Sequence, residues 1–208
     1  EGTLLHEALH VTLSSVMALL RARPRVPAAI GAESARTLDR FFADKKLGGG
    51  LRDVMESRVR DAVSAVLTWT VRDEMWNVLA AEQAFGESGA ESWPAYVIAE
   101  GEGGVYLRGK VDRVDVSVDR VSARVIDYKR SLSSTRVTPR DLGTTHLQVP
   151  LYALAAKRVV AVPRVEGLYL PVLAKDLPPD YKVPDAFREA LAHLLAGGAE
   201  EPALVERT

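Results

Sequence analysis

The sequence predicts an α+β fold, in which helices flank a central sheet and a helical region precedes it. Two observations carry this prediction. The first third of the chain has apolar residues at helical spacing, and the middle has short β-branched segments separated by turn residues. Further along, a helical pattern, a strand pattern and a second helical pattern follow one another. The predicted order is therefore helices, three or four strands, helix, strand, helix.

Three helices are predicted before the sheet. The first runs from Thr3 to about Leu20, and its apolar residues recur at helical spacing: Leu5, Leu9, Leu13, Val16 and Leu20. Prolines and a glycine between Arg21 and Ala32 are expected to break it. A second helix is predicted over Glu33 to Ala43. A third begins at Leu51, after Gly48-Gly49-Gly50, and runs towards Met75.

The strands come next and are expected to form an antiparallel meander. Apolar or β-branched segments bounded by turn residues place them at Val78–Phe85, Ala95–Ala99, Val105–Val118 and Ala123–Arg130, with turns at Gly103-Gly104 and Asp119-Arg120. A helix from about Thr144 to Val160 follows. A last buried strand covers Val165–Leu173, and Pro184-Asp185 opens a final helix that ends at Gly197-Gly198.

Composition narrows the possible classes of protein. The 208 residues suit a single domain, with a helical part (1–76), a sheet core (77–174) and a C-terminal helix and tail (175–208). The absence of cysteine excludes disulfides, thiolate zinc sites and cysteine-ligated iron–sulfur clusters. A net charge of −1 gives no overall basic field. No run of about 18 apolar residues and no signal peptide is present, so we expect no membrane partner and a cytoplasmic location. The first residue is Glu, which suggests a piece of a longer protein.

A short motif near the N-terminus suggests one kind of metal site. His6-Glu7-Ala8-Leu9-His10 has the H-E-x-x-H spacing, which places two imidazoles one turn apart on a helix with a carboxylate between them. Zinc peptidases hold metal and base in this way, and Glu33 is a candidate third ligand. A zinc metallopeptidase (His6, Glu7, His10, Glu33) is therefore one alternative, although it leaves the strand motifs described next unexplained.

Two predicted strands carry acids beside cations. In Val125–Lys129, Asp127 and Lys129 lie at i and i+2, so a strand points both to the same face. A carboxylate that binds a divalent cation, beside an ammonium that stabilises a phosphate, is a minimal set for metal-assisted phosphodiester hydrolysis. Asp112 on the preceding strand would supply a second carboxylate. Alternatively, Asp112 and Asp115 could form a solvated sheet face with Arg113, and Asp127 with Lys129 a surface ion pair.

Four motifs in order resemble those of the PD-(D/E)XK nuclease superfamily, and within it the RecB-like nuclease domains. They are GTLLH (2–6), GKVDRVD (109–115), VIDYK (125–129) and QVPLY (148–152), similar to the family's G-T-x-x-H, G-x-x-D, D-Y-K and Q-x-x-x-Y. The resemblance covers most of the chain. It implies a restriction-endonuclease-like core, in which a central mixed sheet of four to five strands is flanked by helices, with an N-terminal helical elaboration. The sequence departs from the family at Arg130-Ser131, where Thr-Gly is common.

The resemblance also implies residue roles. Metal ligands would be His6, Asp112, Asp127 and the main-chain carbonyl of Tyr128. Lys129 would be the catalytic lysine. Glu82, on the strand before GKVDRVD, matches an acid that many relatives have there, and it would position metal or water. Gln148 and Tyr152 would line the site beside Lys129 or touch the DNA backbone, although alone they would be taken for helix surface. His146 and His193 are interpreted as structural or exposed.

The function implied by the resemblance is that of a deoxyribonuclease dependent on Mg²⁺ or Mn²⁺, with exonuclease action favoured over endonuclease action. Hard oxygen ligands suit these ions. The expected substrate is a DNA single strand or duplex end. The expected setting is a helicase–nuclease or a DNA repair or recombination protein, with a helicase domain or subunit as partner. No iron–sulfur cluster is expected. A nuclease-like module that binds DNA without cutting it is a further alternative.

Overall fold

The computed structural model describes residues 2–45, 50–99, 104–138, 140–142, 144–173 and 175–197. Within them the helices are α1 (Gly2–Arg21), α2 (Pro27–Asp44), α3 (Leu51–Arg72), α4 (Gln148–Val160) and α5 (Asp185–Gly197). The strands are β1 (Trp76–Phe85), β2 (Tyr96–Ala99), β3 (Val105–Leu107), β4 (Gly109–Ser117), β5 (Ser122–Lys129) and β6 (Arg164–Pro171). A short 3-10 helix covers Leu132–Thr135.

The main sheet is mixed and has four strands in the order β1-β4-β5-β6. β4 pairs antiparallel with β1 and with β5, whereas β6 runs parallel to β5. The parallel pair needs a crossover, and α4 lies in the segment that joins β5 to β6. The fold is thus α+β with a restriction-endonuclease-like core, as predicted from the sequence.

Each face of the sheet is covered by helices. A first core forms where α1, α2 and α3 bury aliphatic residues such as Leu13 and Val63 against Ile126 and Leu170 of the sheet. A second core lies between the other face and helices α4 and α5. On this side Gly167 of β6 lets both helices approach closely: a Cβ there would clash with Val149 and lie 2.9 Å from Leu191.

A buried ion cluster lies on the α3 side of the sheet. Asp115 is fully buried and accepts two hydrogen bonds from Arg113, at 2.6 and 2.9 Å, and one from Arg124 at 2.8 Å. Arg113 also donates to Thr70 Oγ1 on α3. The interpretation of Asp115 and Arg113 as a solvated sheet face is therefore wrong. Paired charge can be buried where its hydrogen bonds are satisfied, and charge type alone does not reveal this.

The helix boundaries differ from prediction in three places. α2 begins at Pro27, six residues before the predicted Glu33, because proline fits the first turn of a helix. α3 ends at Arg72, short of Met75. α4 begins at Gln148 and not at Thr144, since the Asp141 carbonyl accepts turn hydrogen bonds from the amides of residues 144 to 146.

The predicted meander is also wrong in one respect. The strand expected over Val105–Val118 is divided at Arg108 into β3 and β4, which belong to different sheets. β2 and β3 form a separate two-stranded antiparallel sheet, so β4 pairs with β1 directly. The predicted tail after Gly197 and the glycines Gly48, Gly49 and Gly103 lie outside the described residues.

One helix, Thr3–Arg21, is long and apolar enough to span a membrane by length and composition alone, with a mean hydropathy of 1.3. Core helices of globular proteins meet the same criterion. Here α1 buries Leu9, Leu13, Val16 and Leu20 in the first core, which accounts for its apolar composition without a membrane.

Candidate active site

Three elements bring an imidazole and two carboxylates together at one end of the sheet. His6 comes from α1, Glu82 from β1 and Asp112 from β4. His6 Nδ1 lies 3.1 Å from Glu82 Oε1 and 3.4 Å from Asp112 Oδ1. Each residue offers one ligand atom, and the three atoms all lie within 4.8 Å of one another. These side chains therefore form a candidate metal site, and they include Glu82 beside the predicted ligands His6 and Asp112.

The backbone of Glu82 has an unusual conformation for a strand residue. Its φ is 53°, in the left-handed region that non-glycine residues rarely adopt. The residues on either side, Ala81 and Gln83, pair in register with Arg113 and Val111 of β4. The register is continuous across this residue, so the left-handed backbone is a local distortion within the paired ladder, and such strain clusters at functional sites. The carboxylate of Glu82 reaches His6 on one oxygen and Lys110 Nζ, at 3.4 Å, on the other.

Asp112 lies where β4 and β5 separate. The pairing of the two strands ends at Arg113 and Ile126. Beyond that pair, Asp112 Oδ2 accepts a hydrogen bond from the Tyr128 N–H at 2.8 Å. The side chain thus accepts a hydrogen bond from a backbone N–H that lies beyond the paired part of β4 and β5, and its other oxygen faces His6. The bond also fixes the main chain at Tyr128, whose carbonyl was the predicted fourth ligand.

His6 is held in place by its neighbours. The Tyr128 ring packs edge-on against the imidazole, with ring centroids 5.9 Å apart. The carboxylates of Asp112 and Glu82 raise the pKa of His6 to about 10, so the ring is protonated at neutral pH without a metal. Burial alone would raise the pKa of Glu82, but the imidazolium and Lys110 together outweigh it and hold that pKa below its usual range.

Asp127 and Lys129 lie next to this cluster on β5. Lys129 Nζ is 2.5 Å from Asp127 Oδ2, and the Asp127 side chain is only 5% exposed. The ion pair of the alternative interpretation is present, but its carboxylate is buried and only the lysine is partly exposed. Burial raises the pKa of Asp127, and Lys129 opposes that effect. The structure places the predicted ligand Asp127 against the lysine, whereas the three-residue cluster is formed by His6, Glu82 and Asp112.

Helix α4 forms the adjacent wall. Lys129 Nζ donates to Gln148 Oε1 at 3.3 Å, so Gln148 lies beside the lysine. Tyr152, one turn along, packs edge-on against Phe85 with centroids 5.7 Å apart. Gly109 lies beneath these rings, where a Cβ would be in tight contact with Phe85 at 3.1 Å and in ordinary contact with Tyr152 at 3.6 Å. The glycine of GKVDRVD thus lies where Phe85 and Tyr152 pack closely against β4.

Two neighbours of the site were not identified from the sequence. The Lys129 ammonium lies 5.0 Å from the centre of the Tyr169 ring, on β6. Burial raises the pKa of Tyr169 to about 12. The parallel register pairs Asp127 with Tyr169, so a correct pairing of the two predicted strands could have found it. Lys110 was part of the motif but had no assigned role.

The H-E-x-x-H residues do not converge on one site. Glu7 forms an ion pair with Lys45, and His10 Nδ1 lies 3.0 Å from the Ala81 carbonyl. Glu33 pairs with Arg36 and Arg40 on the same helix. Among the described residues, the group that could hold a metal includes His6 but not His10 or Glu33. The arrangement gives no support to a zinc peptidase.

The donors of the three-residue cluster fit a small divalent cation. Carboxylate oxygens and an imidazole nitrogen are common ligands of divalent metals, and the chain has no cysteine thiolate to add a softer ligand. The two negative carboxylates compensate a cation in a partly buried place, where the side chains of Glu82 and Asp112 are 16% and 14% exposed.

The model of the PD-(D/E)XK nuclease superfamily matches residues 1–204, nearly the whole chain. This range contains all four motifs and every residue of the candidate site. No curated protein matches the sequence.

Proposed function

Because the chain belongs to the PD-(D/E)XK nuclease superfamily, we propose that it is a Mg²⁺- or Mn²⁺-dependent deoxyribonuclease. The observation that carries the proposal is the approach of His6, Glu82 and Asp112 beside the Asp127–Lys129 pair. A cation site adjoining a lysine is suited to a phosphodiester, whose charge increases in the transition state of hydrolysis.

The side chains divide the work between them. His6, Glu82 and Asp112, with Asp127 and the Tyr128 carbonyl nearby, would hold the metal, which supplies charge stabilisation at the phosphate. Lys129 would stabilise the phosphate and place the attacking water, and Asp127 and Gln148 fix its ammonium. Water forms the new bond to phosphorus while the bond to the 3′ oxygen breaks. The products are a 5′-phosphate and a 3′-hydroxyl.

The wider setting is part of the same proposal. We propose that residues 1–208 form one RecB-like nuclease domain of a cytoplasmic helicase–nuclease or repair protein, acting as an exonuclease. The extent of the family match supports a single domain. The net charge of −1 supports delivery of DNA by a partner, because the domain has no overall field to attract it.

Incubation with labelled DNA tests the activity. We expect the purified chain to degrade linear DNA in Mg²⁺ or Mn²⁺ and to stop in EDTA, with circular DNA resistant if the action is exonucleolytic. Casein with Zn²⁺, in a parallel reaction, should remain intact. Intact linear DNA in both metals, or digested casein, would contradict the proposal.

A further inference from the structure

A row of exposed side chains leads away from the candidate site along one edge of the molecule. From Tyr106 to Lys110, the even-numbered residues are exposed, while Leu107 and Gly109 are partly buried and Val111 is fully buried. The chain passes from β3 to β4 at Arg108, and from Tyr106 to Lys110 exposed residues alternate with partly buried ones. Tyr106, Arg108 and Lys110 therefore form one row, which we call the outer row.

The outer row begins at the metal site. Lys110 Nζ lies 3.4 Å from Glu82 Oε2, and its side chain remains 54% exposed. Arg108 follows Lys110 two residues back along the chain and Tyr106 follows it four residues back, on the segment that leads out of β4 into β3. The row thus carries two cations and then an aromatic ring, in that order along the chain from the residue that contacts Glu82.

Tyr106 has little to do with the stability of the fold. Tyr106 lies in the small β2–β3 sheet, outside the main sheet. The residue is 64% exposed, next to the exposed Val105. A large aromatic surface in water next to two cations is the combination that proteins use to bind single-stranded nucleic acid. There, cations follow the backbone and bases stack on rings.

We propose that single-stranded DNA runs along the outer row, with its phosphates over Lys110 and Arg108 and an unpaired base stacked on Tyr106. The inference rests on the proposed nuclease function and names its substrate. A duplex would not bind in this way, since the bases of a duplex are already stacked on one another and none is free to stack on Tyr106. The row would hold the strand and so position the adjacent phosphodiester at the metal site.

The test measures binding without cleavage. Fluorescence anisotropy of a labelled oligo(dT) in EDTA compares wild type with Tyr106→Ala and Tyr106→Phe. Loss of the ring should weaken binding about 5- to 150-fold, whereas phenylalanine, which keeps the stacking surface, should stay within about twofold of wild type. Binding of a blunt duplex should change little in either variant.

The cations have a separate readout. Arg108→Ala should reduce the slope of log affinity against log salt by about 0.7, the value for one phosphate contact on a single strand. Arg164→Ala is the matched control, because Arg164 is exposed and pairs with Ser122 at the opposite end of the β5–β6 ladder from Lys129. This control should leave the slope unchanged.

Several results would overturn the outer row. One is an oligo(dT) affinity of Tyr106→Ala equal to that of wild type, and another is an equal loss of affinity for oligo(dT) and duplex in that variant. The others are an unchanged salt dependence of affinity in Arg108→Ala and no oligo(dT) binding by the wild type at low salt. All of these measurements are made in EDTA, so they are independent of the cleavage assay. If the protein does not cleave DNA but its affinity for oligo(dT) depends on Tyr106, the proposed function alone is refuted. If the protein cleaves DNA but its affinity for oligo(dT) does not depend on Tyr106, the outer row alone is refuted.

Discussion

Glu82 combines a strained backbone with a place in the candidate metal site. A left-handed conformation costs a non-glycine residue about 1 kcal/mol or more, and the ladder on both sides holds it there. The side chain that results from this conformation meets His6 and Lys110. The energetic cost of the left-handed backbone at Glu82 is therefore associated with the assembly of the candidate metal site and not with the packing of the sheet.

Two substitutions of Glu82 distinguish the effect of its strained backbone from the effect of its carboxylate as a metal ligand. Glu82→Gln keeps the strained backbone and Glu82→Gly relieves it, while both remove the carboxylate. We expect Glu82→Gly to be more stable than Glu82→Gln by about 0.5–1 kcal/mol in urea unfolding. Both should bind Mn²⁺ at least tenfold more weakly than wild type by calorimetry. Wild-type Mn²⁺ affinity in either variant would remove Glu82 from the site.

The sequence predicted some of these residues and not others, for physical reasons. Asp127 and Lys129 were predicted to share a face because the strand period alone sets their relation. The contact of Lys129 with Tyr169 depends on the register between β5 and β6, which are separated by a helix. The left-handed backbone of Glu82 has no signal in the sequence, since glycine or asparagine would be expected there.

At the scale of elements, the ion cluster of β4 and β5 makes a testable contribution to stability. Burial alone would raise the pKa of Asp115, but Arg113 and Arg124 outweigh it and hold that pKa below its usual range. Such a group stabilises the fold at pH values above the pKa of the unfolded state, about 3.9, and the contribution is lost as the pH falls through the folded-state pKa.

Asp115→Asn should therefore destabilise the protein by about 3–5 kcal/mol at pH 7, because it leaves the buried guanidinium of Arg113 without its ion-pair partner and removes one of the two acids that pair with Arg124. The difference from wild type should shrink as the pH is lowered below about 4. Urea unfolding followed by circular dichroism at several pH values measures both effects. A variant as stable as wild type at pH 7 would show that the cluster does not contribute.

Two glycines give a matched comparison of packing. Gly167→Ala puts a Cβ against Val149 of α4 and Leu191 of α5, so it should destabilise by about 1–3 kcal/mol. Gly31→Ala lies within α2, where a Cβ would meet nothing within 4 Å, and should stabilise by about 0.5–1 kcal/mol. Thermal unfolding of both variants tests the packing of β6, and the opposite order of stability would refute it.

Helices and strands were predicted correctly where the residue pattern within the element determines its type and position. The periodicity of α1 and the β-branched run of β5 located both to within two residues. The early start of α2 was missed because Pro27 was interpreted as a breaker, although proline is also favoured at the first turn. The division at Arg108 was missed because β3 and β4 form one continuous pattern, and only their different partners separate them.

At the scale of the whole molecule, the candidate site is a product of topology. Its side chains come from α1, β1, β4, β5 and α4, and the sheet order places β4 between β1 and β5. The order of four motifs predicted this assembly, since each motif fell on its expected element. The composition did not, because neither the net charge nor the balance of residues distinguishes a nuclease from other globular proteins.

Cleavage of labelled linear DNA in Mg²⁺ by wild type, Asp127→Ala and Lys129→Ala tests the nuclease assignment most directly. Asp180→Ala and Lys182→Ala are the controls, since they remove the same charges from exposed residues of a cleft lined by Trp76 and Arg124. We predict that both site variants fold and lose at least about 100-fold in rate, while both controls cut like wild type. Wild-type cleavage by Asp127→Ala or Lys129→Ala would contradict the assignment.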